Sequence, residues 1–282
     1  MQVPSVSFDV INNYRVLRKL GAGTFGTAFQ VENNTTSERC VLKYQNDMDS
    51  GQMQHRANQD MLREIEFLKS NKHPFIVKQI EAFRDPYQGE HDRKNCIILE
   101  YADGGSLEKV LEKNGKAFKE QEALRWFAQI CLGLSHLHRK NFVHRDIKLE
   151  NILIKGIETG RFALISDFGS VKRLTADTLL TVAGTPQYFA PEIFTAEFDH
   201  KIDVWAAGIV LYELLTNRDY PFIVSEKLLK VNPLHCLQKA EFKPWPSNIS
   251  VECRELFMKL FEKDPKRRPS IDEVLQYHQS LV

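Results

Sequence analysis

Two short segments of the sequence place carboxylate and amide side chains close together. Residues 144–151 read HRDIKLEN and residues 167–169 read DFG. Transfer of a phosphoryl group needs a carboxylate beside the attacking hydroxyl and oxygen ligands for a metal ion. Asp146 is the candidate carboxylate, whereas Asn151 and Asp167 offer the hard oxygens that Mg²⁺ prefers. The two segments therefore predict metal-assisted phosphoryl transfer.

A glycine-rich segment lies near the start of the chain, between two runs of strand-forming residues. Its members are Gly21, Ala22, Gly23, Thr24, Phe25 and Gly26. Glycines at a hairpin turn let the backbone approach phosphates without side chains in the way. A dinucleotide-binding fingerprint would lead into a helix, and a Walker A loop would continue into Gly-Lys followed by Ser or Thr; the segment does neither. Taken alone, it is also compatible with an ordinary hairpin turn.

A lysine and a glutamate form a candidate ion pair. Lys43 follows Val41 on a strand-like run, and the helix at residues 60–69 offers Glu64 and Glu66 on different faces as possible partners. The spacing of Glu64 before Pro74 is the one that resembles a known family. An isolated surface pair contributes only ~0–1 kcal/mol. The assignment therefore depends on the other motifs.

Together, these motifs resemble the eukaryotic protein kinase family from about Tyr14 to the end of the chain. A lysine at position 148 is typical of serine/threonine kinases, and residues 104–107 and 126–132 are similar to the never-in-mitosis-A-related (NEK) kinases. The resemblance implies ATP and Mg²⁺ as cofactors. It also implies a protein substrate with a serine or threonine acceptor.

The resemblance implies a role for each site residue. Lys43, paired with Glu64, would bind the α- and β-phosphates; Lys148 would lie beside the γ-phosphate. Asp146 would steer the proton of the acceptor hydroxyl. The implied nucleotide-binding residues, besides the glycine-rich segment and Lys43, are Ala28, Val41, Leu99, Glu100, Ala102 and Leu153.

Other residues would have structural roles. His144 and Phe168 would pack in an apolar column that holds together the HRD loop (residues 144–151) and the DFG segment (residues 167–169). Asp203 would bind the backbone of the HRD loop. Glu192 and Arg268 would form a buried ion pair. By contrast, we interpret His136 and His138 as surface or packing residues.

Residues 184–192 read GTPQYFAPE and resemble the substrate-docking end of the family's activation segment. The resemblance implies a hydrogen bond from Thr185 near Asp146 and Lys148.

A threonine before this segment is the candidate regulatory site. Thr181 has the spacing of the family's activating phosphothreonine, Thr178 is the main alternative, and both are also compatible with ordinary solvated loop residues. A phosphate there would add about −1.5 to −2 charge. Arg145 and Lys172 are its expected cations, and they should lack partners before phosphorylation.

The elements that must position these residues fall into two groups. Up to residue 101 there are five strand-like runs, at residues 14–20, 27–31, 39–44, 80–83 and 95–100, and one helix at residues 60–69. Later residues have helical periodicity, at 118–139, 201–216, 225–239, 251–262 and 271–280.

These patterns and the resemblance predict an α+β, two-lobed protein-kinase-like fold. We expect an extension at residues 1–13, an N-lobe at 14–100, a hinge at 100–103 and a C-lobe at 104–282.

Two polar segments, residues 45–60 and 84–94, predict mobile surface loops because they have few apolar residues. Two positions depart from the family pattern. Ala28 stands where valine usually covers the adenine, and Gln79 places an amide where an apolar residue is usual.

Composition excludes several classes of protein. With 27% charged residues and a net charge of +1, the chain has no global attraction for nucleic acid. Its five cysteines contain no C-x-x-C pair. Residues 1–14 lack a basic segment followed by an apolar core, and the strongest apolar stretch, residues 204–215, has only twelve residues, so we expect neither secretion nor membrane spanning. We expect a monomer or transient dimer in the cytoplasm, the nucleus or on the cytoskeleton, with no nucleic-acid or membrane partner.

Two alternatives remain. A pseudokinase or nucleotide-binding scaffold would usually have lost Lys43, Asp146 or Asp167, and all three are present. A small-molecule kinase would be expected to lack the segment at residues 184–192.

Overall fold

The change from β-type to helical periodicity separates two compact units. The computed structural model describes residues 10–23, 26–86, 93–156, 160–175, 182–194, 198–224 and 233–279. Unit 1 comprises Met1–Lys72 and Val77–Tyr101, and unit 2 comprises His73–Ile76 and Ala102–Val282. The short segment His73–Ile76 belongs to unit 2 because Phe75 O accepts a hydrogen bond from Ile165 N at 2.9 Å.

Unit 1 contains an antiparallel sheet of six strands in the order β1-β2-β3-β4-β6-β5. The strands are β1 (Val10–Ile11), β2 (Tyr14–Ala22), β3 (Gly26–Asn33), β4 (Arg39–Gln45), β5 (Gln79–Pro86) and β6 (Arg93–Glu100). The five predicted strands are therefore confirmed. Because alternate residues of a strand face opposite sides, Cys40 and Leu42 of β4 enter the core while Lys43 faces the other side.

The helix of unit 1, α1, spans Gly51–Ser70 and is longer than predicted. The prediction of a loop at residues 45–60 is wrong, since residues 51–60 form the first half of α1. Ser50 caps the helix by accepting a hydrogen bond from Met53 N, and Ala57 is fully buried. The low apolar content of residues 51–60 suggested a loop. Their Gln, Met, Arg and Ala residues nevertheless have good helix propensity, which explains why they form a helix.

A buried glutamine connects α1 to two strands. Gln45 is 2% exposed, and its Nε2 donates to Asn58 Oδ1 on α1. Its Oε1 accepts from Asn95 of β6, from the backbone N at 3.1 Å and from Nδ2 at 2.8 Å. Gln45 lies two residues after Lys43 on the same face of β4. This network therefore fixes α1 beside the strand that carries Lys43.

The second predicted loop, residues 84–94, is also partly wrong. Residues 84–86 and 93–94 belong to β5 and β6, and residues 87–92 lie outside the described part of the chain. Lys94 is buried and forms an ion pair with Asp47.

Unit 2 is mainly helical in its described residues. Its helices are α2 (Leu107–Asn114), α3 (Glu120–His138), α4 (Lys201–Thr216), α5 (Pro233–Lys239), α6 (Val251–Leu260) and α7 (Ile271–Gln279). Five match the predicted helices, α5 in its described residues, whereas α2 was not predicted. Short strands complete the unit: β7 (Gly105–Ser106), β8 (Phe142–Val143), β9 (Ile152–Lys155), β10 (Phe162–Ile165), β11 (Lys172–Arg173), β12 (Phe222–Ile223) and β13 (Glu241–Phe242).

Helix α4 lies at the centre of unit 2. Its residues are buried on all sides from Ile202 to Leu215, so its sequence is apolar around the whole helix. Its two buried acids, Asp203 and Glu213, therefore need hydrogen-bond partners. Within the described residues, no helix is long and apolar enough to cross a membrane.

The Gln45 network makes a testable contribution to stability. Replacing Gln45→Met keeps the side-chain length but leaves the half-buried Asn58 and the buried Asn95 without this partner, so the free energy of unfolding should fall by about 1–3 kcal/mol. The matched control is Gln52→Met on the exposed face of α1. Urea unfolding measures both, and equal effects of the two substitutions would contradict the assignment.

Candidate active site

The loop at residues 144–151 is anchored by a buried carboxylate at the start of α4. Asp203 Oδ2 accepts from His144 N at 2.9 Å, and Asp203 Oδ1 accepts from Arg145 N at 2.9 Å. His138 Nε2 lies 2.9 Å from Oδ2. Burial opposes ionisation of Asp203, but the hydrogen bond and charge of His138 and the His144 amide outweigh it, so the pKa of the carboxyl is lowered.

His144 connects this loop to the DFG segment. Its Nε2 lies 3.1 Å from Ser166 O, and its ring centroid lies 5.0 Å from that of Phe168 in an edge-to-face arrangement. Ser166 in turn donates to Asn151 O through its backbone N at 2.8 Å and its Oγ at 2.9 Å. The loops that carry the candidate metal ligands are therefore held together by hydrogen bonds.

The candidate catalytic side chains converge at Asp146. Thr185 Oγ1 donates to Asp146 Oδ1 at 2.9 Å and accepts from Lys148 Nζ at 2.8 Å. Lys148 Nζ also lies 2.9 Å from Asp146 Oδ2. These side chains have the relations that the resemblance implied. Because Asp146 and Lys148 are only 12% and 19% exposed, water screens their charges weakly.

Asn151 Nδ2 donates to Asp146 O at 2.8 Å and to Asp146 Oδ2 at 3.0 Å. The amide oxygen of Asn151 is thus directed away from Asp146. Asp167, the other candidate metal ligand, has a left-handed backbone conformation with φ 61° and begins the 3₁₀ turn Phe168–Ser170. Aspartate tolerates this conformation better than most residues.

The donor set fits Mg²⁺. Asn151 and Asp167 supply one amide oxygen and one carboxylate, and within the described residues no group of three or more His, Cys, Asp or Glu could hold a metal ion. Mg²⁺ is commonly bound by one or two carboxylates together with phosphate and water oxygens. A metal ion held here would need such additional ligands.

A glycine brings residues 184–188 close to the HRD loop. Gly184 has φ 109°, and a Cβ on it would lie 2.2 Å from Arg145 O. Only glycine can adopt this conformation at such a close approach. Thr185, the next residue, can therefore reach Asp146.

The expectation that Arg145 and Lys172 lack partners is wrong. Arg145 Nε donates to Ser170 O at 2.6 Å, and the Arg145 side chain is buried. Lys172 is opposite Val143 in the β8–β11 pair of strands, and it is not without an interaction partner either. The candidate phosphorylation sites Thr181 and Thr178 lie outside the described residues.

The end of the docking segment is fixed by a buried ion pair. Both guanidinium NH groups of Arg268 contact the carboxylate of Glu192, with NH2 3.0 Å from Oε2. Arg268 also donates to Glu262 O at 2.9 Å and to Lys201 O at 3.0 Å. These bonds satisfy a charge that would otherwise be costly to bury.

Unit 1 contains the predicted lysine–glutamate pair. Lys43 Nζ lies 2.6 Å from Glu64 Oε2, and the Glu64 side chain is 1% exposed. Glu66 is exposed on another face of α1, as expected. The pair is therefore more shielded from water than an ordinary surface ion pair.

The glycine-rich segment forms a hairpin between β2 and β3. Gly21 pairs with Ala28 and Ala22 with Thr27. Gly23 N donates to Gly26 O at 2.8 Å, which closes the turn, whereas Thr24 and Phe25 lie outside the described residues. A strand follows the glycines, so the dinucleotide-binding alternative is not supported.

The other predicted nucleotide-binding residues are divided between the units. In unit 1, Val41 pairs with Leu99, and Glu100 Oε1 accepts from Lys78 N at 2.7 Å. In unit 2, Ala102 is buried, and Leu153 of β9 pairs with Ser106 of β7.

Gln79, the amide at a position where an apolar residue is usual, has an acceptor without a partner in the described part of the chain. Its Oε1 is buried and has no hydrogen-bond partner among the described residues. An unpaired buried acceptor costs about 1–3 kcal/mol. The amide therefore leaves unit 1 less stable than an apolar residue of the same shape would.

Two further buried interactions could not be found in the sequence. His138 lies 65 residues from Asp203 in the chain, and its spacing gave no signal of their pairing. Tyr188 OH donates to Glu213 Oε2 at 2.7 Å. Burial raises the pKa of Glu213 to about 7, although the Tyr188 hydrogen bond lowers it, and the neighbouring Glu150 adds to the increase.

Sequence comparisons show which proteins this chain is similar to. The family described as "Protein kinase domain" matches residues 14–279. Probable serine/threonine-protein kinase nek3 of Dictyostelium discoideum is 33% identical over 275 residues, covering 94% of this chain and 23% of that protein. Serine/threonine-protein kinase Nek5 of Homo sapiens is 33% identical over 273 residues, covering 94% of this chain and 36% of that protein. Serine/threonine-protein kinase Nek1 of Mus musculus is 33% identical over 270 residues, covering 94% of this chain and 21% of that protein.

This chain thus spans 21% to 36% of the length of these three relatives. The family match confirms the α+β protein-kinase-like fold class. The chain belongs to the protein kinase family and is similar to its NEK serine/threonine members.

Proposed function

We propose that the protein is an active serine/threonine kinase that transfers the γ-phosphate of Mg-ATP to hydroxyl groups of protein substrates. The observation that carries this proposal is the convergence of Asp146, Lys148 and Thr185 within hydrogen-bond distance. A nucleotide-binding scaffold would not need a lysine and a carboxylate that both bind the same threonine hydroxyl. The names of the related serine/threonine-protein kinases support the same activity.

Each residue has a physical role in the proposed reaction. Asp146 orients the acceptor hydroxyl and accepts its proton, an effect worth typically ~10²–10⁴-fold in rate. Lys148 offsets the negative charge of the transferred phosphoryl group, and Lys43, held by Glu64, binds the other phosphates. Mg²⁺ on Asn151 and Asp167 would neutralise charge on the phosphates.

Two features support the proposed class of substrate. Lys148 is the residue typical of serine/threonine kinases, and its bond to Thr185 joins it to the docking segment. Glu150 Oε2 is buried without a hydrogen-bond partner among the described residues, and its charge acts on Glu213. A basic residue in the substrate peptide would reduce this concentration of negative charge.

A pseudokinase is the second candidate function, because two features favour it. The unsatisfied Gln79 Oε1 weakens unit 1, and Ala28 offers less apolar surface than valine would. Both changes act on nucleotide affinity or on stability. Neither removes a residue of the transfer step, so the active kinase remains the better proposal.

The protein is proposed to act in the cytoplasm, in the nucleus or on the cytoskeleton, as a monomer or transient dimer. All five cysteines are free, which is compatible with a reducing compartment. The net charge of +1 gives no general attraction for nucleic acid.

Asp146→Asn should lower kcat by about 10²–10⁴-fold with little change in ATP affinity, because Asp146 acts in the transfer step. Lys43→Met should abolish transfer. Glu66→Gln, an exposed acid on α1, is the control and should keep normal turnover. The assay follows labelled ATP onto a generic protein acceptor, and hydrolysis of the product then identifies the labelled residue type.

Three outcomes would count against the kinase proposal. Near-normal turnover in Asp146→Asn would remove the catalytic assignment. Label on tyrosine alone would overturn the substrate class. ATP binding without any transfer by the wild-type protein would establish the pseudokinase instead.

Phosphorylation of Thr181 is proposed to switch the enzyme on. Thr181→Ala should have low activity that does not respond to phosphatase, whereas Thr178→Ala should behave as the wild type does. The physical reason is that a phosphate adds charge and three acceptor oxygens, for which Arg145 and Lys172 are the proposed cations. Activity of phosphatase-treated and untreated enzyme measures the effect. Full activity in Thr181→Ala would refute the proposal, and selective loss in Thr178→Ala would transfer it to that residue.

A further inference from the structure

Unit 2 contains a cleft that is separate from the residues around Asp146. It has a volume of about 450 Å³ and is lined by the start of α4, by α6 and α7, and by the segment that connects the last two. Its charged lining residues are Lys201, Lys259, Lys266, Arg267, Arg268 and Glu273. The lining thus carries five cations and one carboxylate.

Two of the cations and the carboxylate are already engaged. Arg268 pairs with Glu192, and Lys201 Nζ donates to Pro265 O at 2.8 Å. Glu273 accepts from Ser270 N at 2.7 Å and from Ser270 Oγ at 2.8 Å, and these hydrogen bonds lower the pKa of its carboxyl. Glu273 is therefore ionised at neutral pH, and within the described residues it forms no ion pair with the lysines of the cleft.

The other three cations are weakly compensated. Lys259 Nζ lies 4.4 Å from the centroid of the Tyr277 ring. Arg267 NH2 lies 3.3 Å from Glu262 Oε2, but its side chain is 74% exposed, so the pair contributes little. Lys266 is exposed, and its ammonium has no hydrogen bond or ion pair within the described residues. Like charges lining a concave surface concentrate positive potential there.

The rest of the lining limits the shape of a ligand. Leu256 and Val274 of the lining are buried, whereas the Tyr277 ring is partly exposed beside the cations. This ring suits the carbon stem of a side chain that ends in an anion. A phosphate monoester presents three acceptor oxygens and about −1.5 to −2 charge, more than a carboxylate. Three weakly compensated cations therefore match a phosphate better than an aspartate or glutamate side chain.

The acids near the cleft argue against a membrane surface. Glu255 accepts from Tyr277 OH at 3.0 Å, and Glu262 lies beside Arg267. A broad anionic surface would meet these carboxylates as well as the cations. A single phosphate entering the cleft would meet mainly cations.

We infer that this cleft binds a phosphoserine or phosphothreonine side chain of a protein segment. The inference does not depend on phosphoryl transfer by this chain. It predicts that recognition requires Lys259 and Lys266, with Arg267 as the third cation, and no residue of the HRD or DFG loops.

The test uses a fluorescent peptide of neutral residues with one central phosphothreonine, and the same peptide with threonine or glutamate at that position. Anisotropy at low ionic strength should show that the phosphopeptide binds the full chain about tenfold or more tightly than either other peptide. Lys259→Ala/Lys266→Ala should abolish this difference. Lys113→Ala/Lys116→Ala, which removes the same charge from exposed positions elsewhere in unit 2, should retain it.

Thermal unfolding of both double variants checks that they fold. If Lys259→Ala/Lys266→Ala unfolds at a lower temperature than the wild-type protein, peptide binding is measured with Lys266→Glu instead, because the Lys266 side chain has no described partner to lose. Equal binding of the three peptides would overturn the inference, as would equal loss in the cleft and control variants. Binding to phosphatidylserine-containing phosphatidylcholine vesicles without binding to the phosphopeptide would assign the cleft to a membrane and overturn it as well.

Discussion

The carboxylate of Asp203 is the interaction on which the candidate active site depends. It accepts hydrogen bonds from two consecutive backbone amides, His144 and Arg145, and it contacts His138. Hydrogen bonds to a charged group contribute about 1.5–3 kcal/mol each, and a buried donor left without its partner is costly. Because Asp203 lies on the central helix of unit 2, which is buried from Ile202 to Leu215, its hydrogen bonds hold the HRD loop against a well-packed element.

The other contacts extend from this anchor. Arg145 has φ 71°, a conformation that needs support from its surroundings, and the Asp203 bond to its amide provides it. His144 continues the connection to Phe168 of the DFG segment, and the close approach of Gly184 to Arg145 brings Thr185 to Asp146. The candidate catalytic residues Asp146 and Thr185 are thus positioned by backbone contacts of the residues that precede them, Arg145 and Gly184.

Motifs with fixed spacing made much of the site predictable, whereas single-sequence patterns could not reveal partners far apart in the chain. The pairs Lys43–Glu64 and Glu192–Arg268 followed from the family resemblance, and the structure places their side chains in contact. Gln45 and its partner Asn58 looked like loop residues, because polar composition does not show whether side chains satisfy one another in a buried network. The hydrogen bond of the Arg145 side chain was missed for a related reason: its acceptor is the backbone carbonyl of Ser170, which carries no sequence signal.

The most direct test of this account measures hydrogen exchange of the His144 and Arg145 amides together with kcat in Asp203→Asn. Asparagine offers one acceptor oxygen and no charge, so both amides should exchange faster than in the wild-type protein and kcat should fall. Asp199→Asn, near the same helix end but without a described bond to the HRD loop, should leave both quantities unchanged. Unchanged exchange and turnover in Asp203→Asn would contradict the claim that this carboxylate holds the catalytic loop.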